Sequence, residues 1–598
     1  MFRRTFTFVL LALNLIVGLS IFALTRAERS AALREMQLRQ LVPEGEIDRL
    51  HWSARGNANP VTLVRRGDSW WVDGPDAWPA NPEVVTTLIG LLRQPRPIAI
   101  LPAPTGADAA EQRANWGLAE PDVTLEATLG DTTTRIQFGR IESNDGSVYA
   151  EVLTDGFVRV IPRGSTRILL APEAALRNPT LLTIPAFESR GLSYQFSAGQ
   201  GLKVRIAPVG EGNWRLEAPL VARADRQRVE RLFQRLNQLR VLAFLDPSDA
   251  SEFRVPQIRL TVEGNNRQQT LLFYGPPMVI PPGQTTPVPE SELVVTRLEN
   301  RDALFVIPSD IIKELESSVE VLRDRRMLTF EPAEASEIRI SVPERTPIVL
   351  QRGEGGTWQV IARDARDQAV VRPGDAQRID ALIDILAQSQ ITRFVSNAPT
   401  QAELEGFELV SPQRIVTVVT RRGEQTLHLG RVDTAERMVH ARIVGEPFVY
   451  GTGMEILNSL PVVSYAYRDR NLRAAPAAAG ALRLILFPFA GEEPIVSLEP
   501  RASDVDSPAG RLAAALAPLR AVRHVSDAFN EAGPVSADLP WTHRLRVESA
   551  AQSAGYTLFL RRTGDRTWLA GLSDSSAVFE PTPELSAALE DLLEAAGR

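Results

Sequence analysis

Residues 67–73 read Gly-Asp-Ser-Trp-Trp-Val-Asp (GDSWWVD), two adjacent tryptophans in a 598-residue chain that holds nine. They follow the apolar run VTLV at 61–64 and a turn-forming Gly-Asp pair, the pattern of a β-hairpin. Counterparts stand at Trp214-Arg215-Leu216 and Trp358-Gln359-Val360, so the leading tryptophans are twice 144 residues apart. Alternate residues of a strand share a face. The common pattern Trp-x-aliphatic therefore turns Trp70 and Val72 inward. Trp71, matched by Arg215 and Gln359, is expected to face outward.

Other landmarks keep the same order. After each tryptophan comes an amphipathic helix: Val84, Val85, Leu88 and Leu92; Val229, Leu232, Phe233 and Leu236; Ile379, Leu382, Ile383 and Leu386. An aromatic-to-proline turn follows, Trp116 to Pro121 and Phe407 to Pro412, shortened to Phe253–Pro256 in between. Next comes a hydrophobic-Gly step at Phe138-Gly139, Tyr274-Gly275 and Leu429-Gly430, and then a closing strand such as FVRVIP. A fourth copy keeps the helix and later strands but lacks the tryptophan hairpin. A period near 140 residues means tandem domains, since solenoid repeats run about 20–50 residues. The expected boundaries are 1–42 for a cytoplasmic tip, membrane anchor and stalk, then repeat domains at 43–187, 188–330 and 331–473, and a degenerate one at 474–598. The expected fold class is α+β: an N-terminal transmembrane helix, then about four tandem repeats rich in antiparallel hairpins.

Composition excludes several function classes. With 44% hydrophobic and 23% charged residues the chain is globular rather than disordered. A net charge of −7 without a basic block argues against nucleic-acid binding. The absence of cysteine excludes disulfides, thiolate metal sites and a cysteine nucleophile. From Phe6 to Leu24 no residue is charged; as a helix this run is about 28 Å long, against a hydrocarbon core of about 30 Å. Arg3 and Arg4 precede it, which keeps the N-terminus cytoplasmic. The run is longer than a signal-peptide core and lacks a good small-x-small site, so it is taken as an uncleaved anchor in a bacterial inner membrane. The bulk is then extracytoplasmic.

The five histidines form no HxxxH or HExxH pair, and GxSxG, P-loop and GxGxxG motifs are missing. His428 and His440 fall near the Gly430 step and are assigned structural or surface roles. No catalytic, cofactor-binding or metal residue is expected. The candidate partner-contact residues are Trp71 and Trp78, as exposed aromatics, and Pro276, Pro282 and Pro287 in a proline-rich insertion that lengthens the second repeat.

The tryptophan hairpin, the Trp116–Pro121 turn, the Phe138-Gly139 step and the closing FVRVIP, behind an apolar N-terminus, together resemble the bacterial DUF4340 family, a domain of unknown function. The resemblance covers residues 43–330 best and fades in the fourth repeat. It implies an accessory role in the envelope, beside an ABC-type, gliding-motility-like transporter complex, and carries over no catalytic residue. The leading expectation is a membrane-anchored scaffold or adaptor for such a complex. A cell-wall or glycan-binding protein that stacks Trp71 and Trp78 on sugar faces is the alternative, and an envelope hydrolase the third reading. No cofactor is implied.

Overall fold

Strand Val123–Leu129 buries Val123, Leu125 and Ala127 and leaves Thr124, Glu126 and Thr128 toward solvent. Alternation of this kind gives an antiparallel sheet with one dry face and one wet face. The wet face is tied by cross-strand pairs such as Arg135 Nε donating to Glu126 at 3.0 Å. The dry face is covered by the helix Pro82–Arg93, capped by the Asn81 side chain and burying Val85, Leu88, Leu91 and Leu92.

The computed structural model describes residues 37–596, except 57–58, 75–76, 142–145, 198–200, 211, 246–252, 280–287, 364–366, 474–481, 501–505, 532–539, 550–554, 565–566 and 573. It also describes a few positions between 17 and 26. In the first sheet the strands are β1 (Arg49–Ala54), β2 (Val61–Arg66), β3 (Ser69–Val72), β4 (Trp78–Pro79), β5 (Ala99–Pro102), β6 (Val123–Leu129), β7 (Thr132–Phe138), β8 (Ser147–Val152) and β9 (Phe157–Pro162). Their spatial order is β4-β3-β2-β1-β6-β7-β8-β9-β5, with every neighbouring pair antiparallel. The second and third sheets, within residues 191–308 and 337–453, repeat that order strand for strand. The second adds a ribbon in which Met278–Val279 pairs with Val288–Pro289. The fourth sheet, within 471–581, has eight strands among the described residues. It keeps counterparts of β1, β2 and β5 to β9, lacks those of β3 and β4, and gains Asn471–Arg473 at its other edge.

The α+β expectation is therefore corrected. Most of the described regular structure is antiparallel sheet, in four large sheets, and the helices that lie wholly among the described residues reach at most 13 residues. The physical reason is that one or two helices suffice to cover the dry face of eight or nine short strands. No helix among the described residues is long and apolar enough to cross a membrane, and nearly all of Phe6–Leu24, the expected spanning helix, lies outside them. The chain parts between Asp324 and Arg325 into two compact units, the first holding two sheets and the second the other two.

Candidate functional site

Trp70 and Trp71 divide in facing but less sharply than the repeat alone implies. Trp70 is partly buried against the first core, and Val72 is fully buried. Trp71 is also half-buried, because the guanidiniums of Arg66 and Arg301 cover it at 5.3 and 5.0 Å from the ring centre. Arg301 belongs to the second repeat. Its Nη1 donates to the Ala77 carbonyl at 3.1 Å, and its guanidinium also lies 4.9 Å over Trp78.

Trp78 is not an exposed aromatic. It is 1% exposed and, although it stands on β4 of the first sheet, it belongs to the second hydrophobic core. Its ring meets Phe244 and Phe305 edge-on at 5.2 and 5.6 Å, and its indole N–H donates to the Asn178 carbonyl at 2.9 Å. An indole held in this way offers no face to a sugar. The structure brings Trp71 and Trp78 together as the joint between the first two repeats. Pro276 is exposed, far along the sequence from that joint; Pro282 and Pro287 lie outside the described residues.

The aromatic turn and the glycine step form one device. A Cβ on Gly139 would stand 2.2 Å from the Trp116 carbonyl oxygen, and one on Gly430 equally 2.2 Å from that of Phe407. Glycine is required because the turn's backbone rests directly on the strand. Trp116 stacks on Tyr149 at 5.2 Å, and Phe407 stacks on His440 at 4.5 Å. His440, buried with its Nδ1 bonded to the Arg431 carbonyl at 3.0 Å, thus occupies the place of Tyr149 and is a packing residue. His428 stands opposite Arg442 in the ladder, and burial holds its imidazole below the usual histidine range. No group of three potential metal ligands converges among the described residues.

A signal overlooked by the landmark reading marks the entrance to each repeat: Leu38-Arg39-Gln40, Leu176-Arg177-Asn178, Leu322-Arg323-Asp324 and Tyr467-Arg468-Asp469. In the last three, the carbonyl of the first residue accepts a bond of 2.8 Å from the N–H of the preceding helix cap, at Asn81, Asp225 and Asp375 respectively. In the first, the Leu38 carbonyl accepts from Arg159 Nε at 2.9 Å. The triplet is legible in the sequence as a periodic Arg followed by an amide or acid.

Within the second unit the joint between repeats is polar. Arg468 pairs with Asp527 at 2.9 Å, Ser464 donates to the same carboxylate, and Arg372 Nη1 donates to the Ser575 carbonyl at 2.8 Å. Burial pushes the Arg468 guanidinium below its usual value, opposed by Asp527. Beside these groups lies a cleft of about 860 Å³, walled by Val360, Val370, Val462 and Phe529 as well as the charged groups. Its described lining joins these apolar side chains to Arg363, Arg372 and Arg468 and to Asp367 and Asp527.

The repeat now has a name. The family described as "Domain of unknown function (DUF4340)" matches residues 70–258 and again 214–373, together about half of the chain. This chain belongs to the DUF4340 family. The two matches begin at Trp70 and Trp214, the tryptophans that open corresponding hairpins, so the DUF4340 pattern and the structural repeat share a phase. No curated protein matches the chain.

Proposed function

We propose that this DUF4340 protein is an envelope adaptor, seated in the inner membrane through the apolar stretch Phe6–Leu24 with its bulk on the extracytoplasmic side. Its repeats offer binding surfaces to a membrane complex of the ABC-transporter type. The observation that carries the reading is the use made of the repeated positions. Aromatic, glycine and arginine residues that recur from sheet to sheet pack cores and join repeats. Val17, Ile21, Phe22 and Leu24 are helical with their apolar side chains exposed, which supports seating in lipid. Attachment in the partner's bilayer raises the effective concentration of each surface.

The test is crosslinking of the full chain in intact cells, followed by capture and identification of membrane-complex subunits. A version that begins at residue 37 should fold and capture the same subunits more weakly. Recovery of cell-wall glycan with no membrane-complex subunit would overturn the adaptor reading.

A further inference from the structure

We propose that the cleft in the second unit takes an extended peptide segment of a partner protein, added as a strand along the open edge of Ala369–Pro373. That strand is the outermost of the third sheet, paired on one side only, with Trp358–Arg363. The Gly374 N–H donates to the Trp358 carbonyl at 2.8 Å, which sets the phase of the ladder. Bonded pairs alternate in an antiparallel ladder, so Arg372 and Val370 direct their backbone groups to the neighbouring strand. Ala369, Val371 and Pro373 then direct theirs outward.

The chain itself begins the missing strand. Gly374 bridges to Arg468 in antiparallel sense, and the Asp469 N–H donates to the outward carbonyl of Pro373 at 2.9 Å. After that bond the linker leaves to pair with the fourth sheet through Asn471–Arg473. The ladder stops with the outward N–H and C=O of Val371 and Ala369 next in line, and the Val371 side chain is 55% exposed. An incoming strand would continue a pairing already started and let every second side chain drop into the cleft, on the face shared by Val370 and Arg372. Backbone bonds then supply affinity and the cleft supplies selectivity, the division of labour in β-strand addition.

The corresponding edges elsewhere are shorter. β4 has two residues, with Trp78 buried in the next repeat, and Ala222–Ala224 has three, against five in Ala369–Pro373. The occupant's chemistry follows from the walls. Val360, Val370, Val462 and Phe529 suit apolar side chains at alternate positions. Three arginines (Arg363, Arg372, Arg468) against two aspartates (Asp367, Asp527) suit an acidic residue at one end.

This inference goes beyond the adaptor reading and is tested without a membrane partner, so its failure leaves the capture experiment untouched. The probe is a short fluorescent peptide alternating Val with Thr and ending in Glu, titrated into the full chain and followed by anisotropy. Saturable binding is expected, together with slower amide exchange at Val371 in the unaltered protein. Val371→Pro should weaken binding about tenfold, the worth of one or two backbone bonds. The unfolding midpoint should not move, because an outward-facing edge position tolerates proline. A peptide N-methylated at alternate residues should lose the same affinity. Absence of binding, equal binding by the methylated peptide, or unchanged exchange at Val371 on saturation would each overturn the proposal.

Discussion

Trp78 sits on a strand of the first sheet and fills the core of the next repeat, so its removal acts across a sequence boundary. Trp78→Ala is expected to cost about 3–5 kcal/mol, as for other buried aromatics, and to lower the stability of the second repeat as well as the first. Trp71 has two guanidiniums close to its ring but keeps access to solvent. Trp71→Ala should cost about 1 kcal/mol, the scale of cation–π contacts at partly exposed sites. Guanidinium titration of the full chain, with amide exchange to locate the loss, separates the two. Equal costs for both substitutions would contradict the difference in burial between the two rings.

Among the elements, glycines make opposite predictions according to what surrounds them. Gly139 lies where any Cβ meets the Trp116 carbonyl at 2.2 Å. Gly139→Ala must push the aromatic turn off the strand and should destabilise the first repeat by about 2 kcal/mol or more. Gly90 lies within the Pro82–Arg93 helix, with nothing within 4 Å of where an added methyl group would stand. There alanine removes only backbone freedom, and Gly90→Ala should stabilise by about 0.5–1 kcal/mol. Thermal melts of the two variants should move in opposite directions. The linkers give a third case. Asp527→Ala leaves Arg468, 6% exposed, without its carboxylate. That loss should cost about 3 kcal/mol and fall in the second unit.

For the whole molecule, mild acid should act on the second unit. His428, His524 and His543 all follow Asp324, and burial is the first cause holding each imidazole below the ordinary 6.5. His524 is 5% exposed and donates from Nε2 to the Asp469 carbonyl at 2.9 Å, with Arg468 opposing any added charge. Such groups bind protons in the unfolded chain at a higher pH than in the folded one. Their contribution to stability is full above pH 6.5 and declines as pH falls from there toward the lowered folded values. Denaturation followed between neutral pH and about pH 5 should show residues 325–598 losing stability. His524→Asn should flatten part of that slope, and an unchanged slope would remove His524 as its source.

The residue order by itself determined the period of the repeat, the inward and outward faces of Trp-x-aliphatic hairpins and the buried stripe of each main helix. Leu382, Ile383 and Leu386 are core because they recur at helical spacing. The missing hairpin of the fourth repeat was equally legible, since no tryptophan strand precedes its helix. Periodicity is a property of near neighbours, and a chain displays it without folding. The predominance of sheet was harder to see, because two-residue strands such as Trp78–Pro79 and Ala243–Phe244 are too short to show any period. Only tertiary structure decided that Trp78 is a plug rather than a platform, that His440 stacks on Phe407, and that the Ala369–Pro373 edge borders a cleft. Those outcomes depend on which distant surfaces meet, and burial by a residue far along the chain leaves no mark on the spacing of the residue it covers.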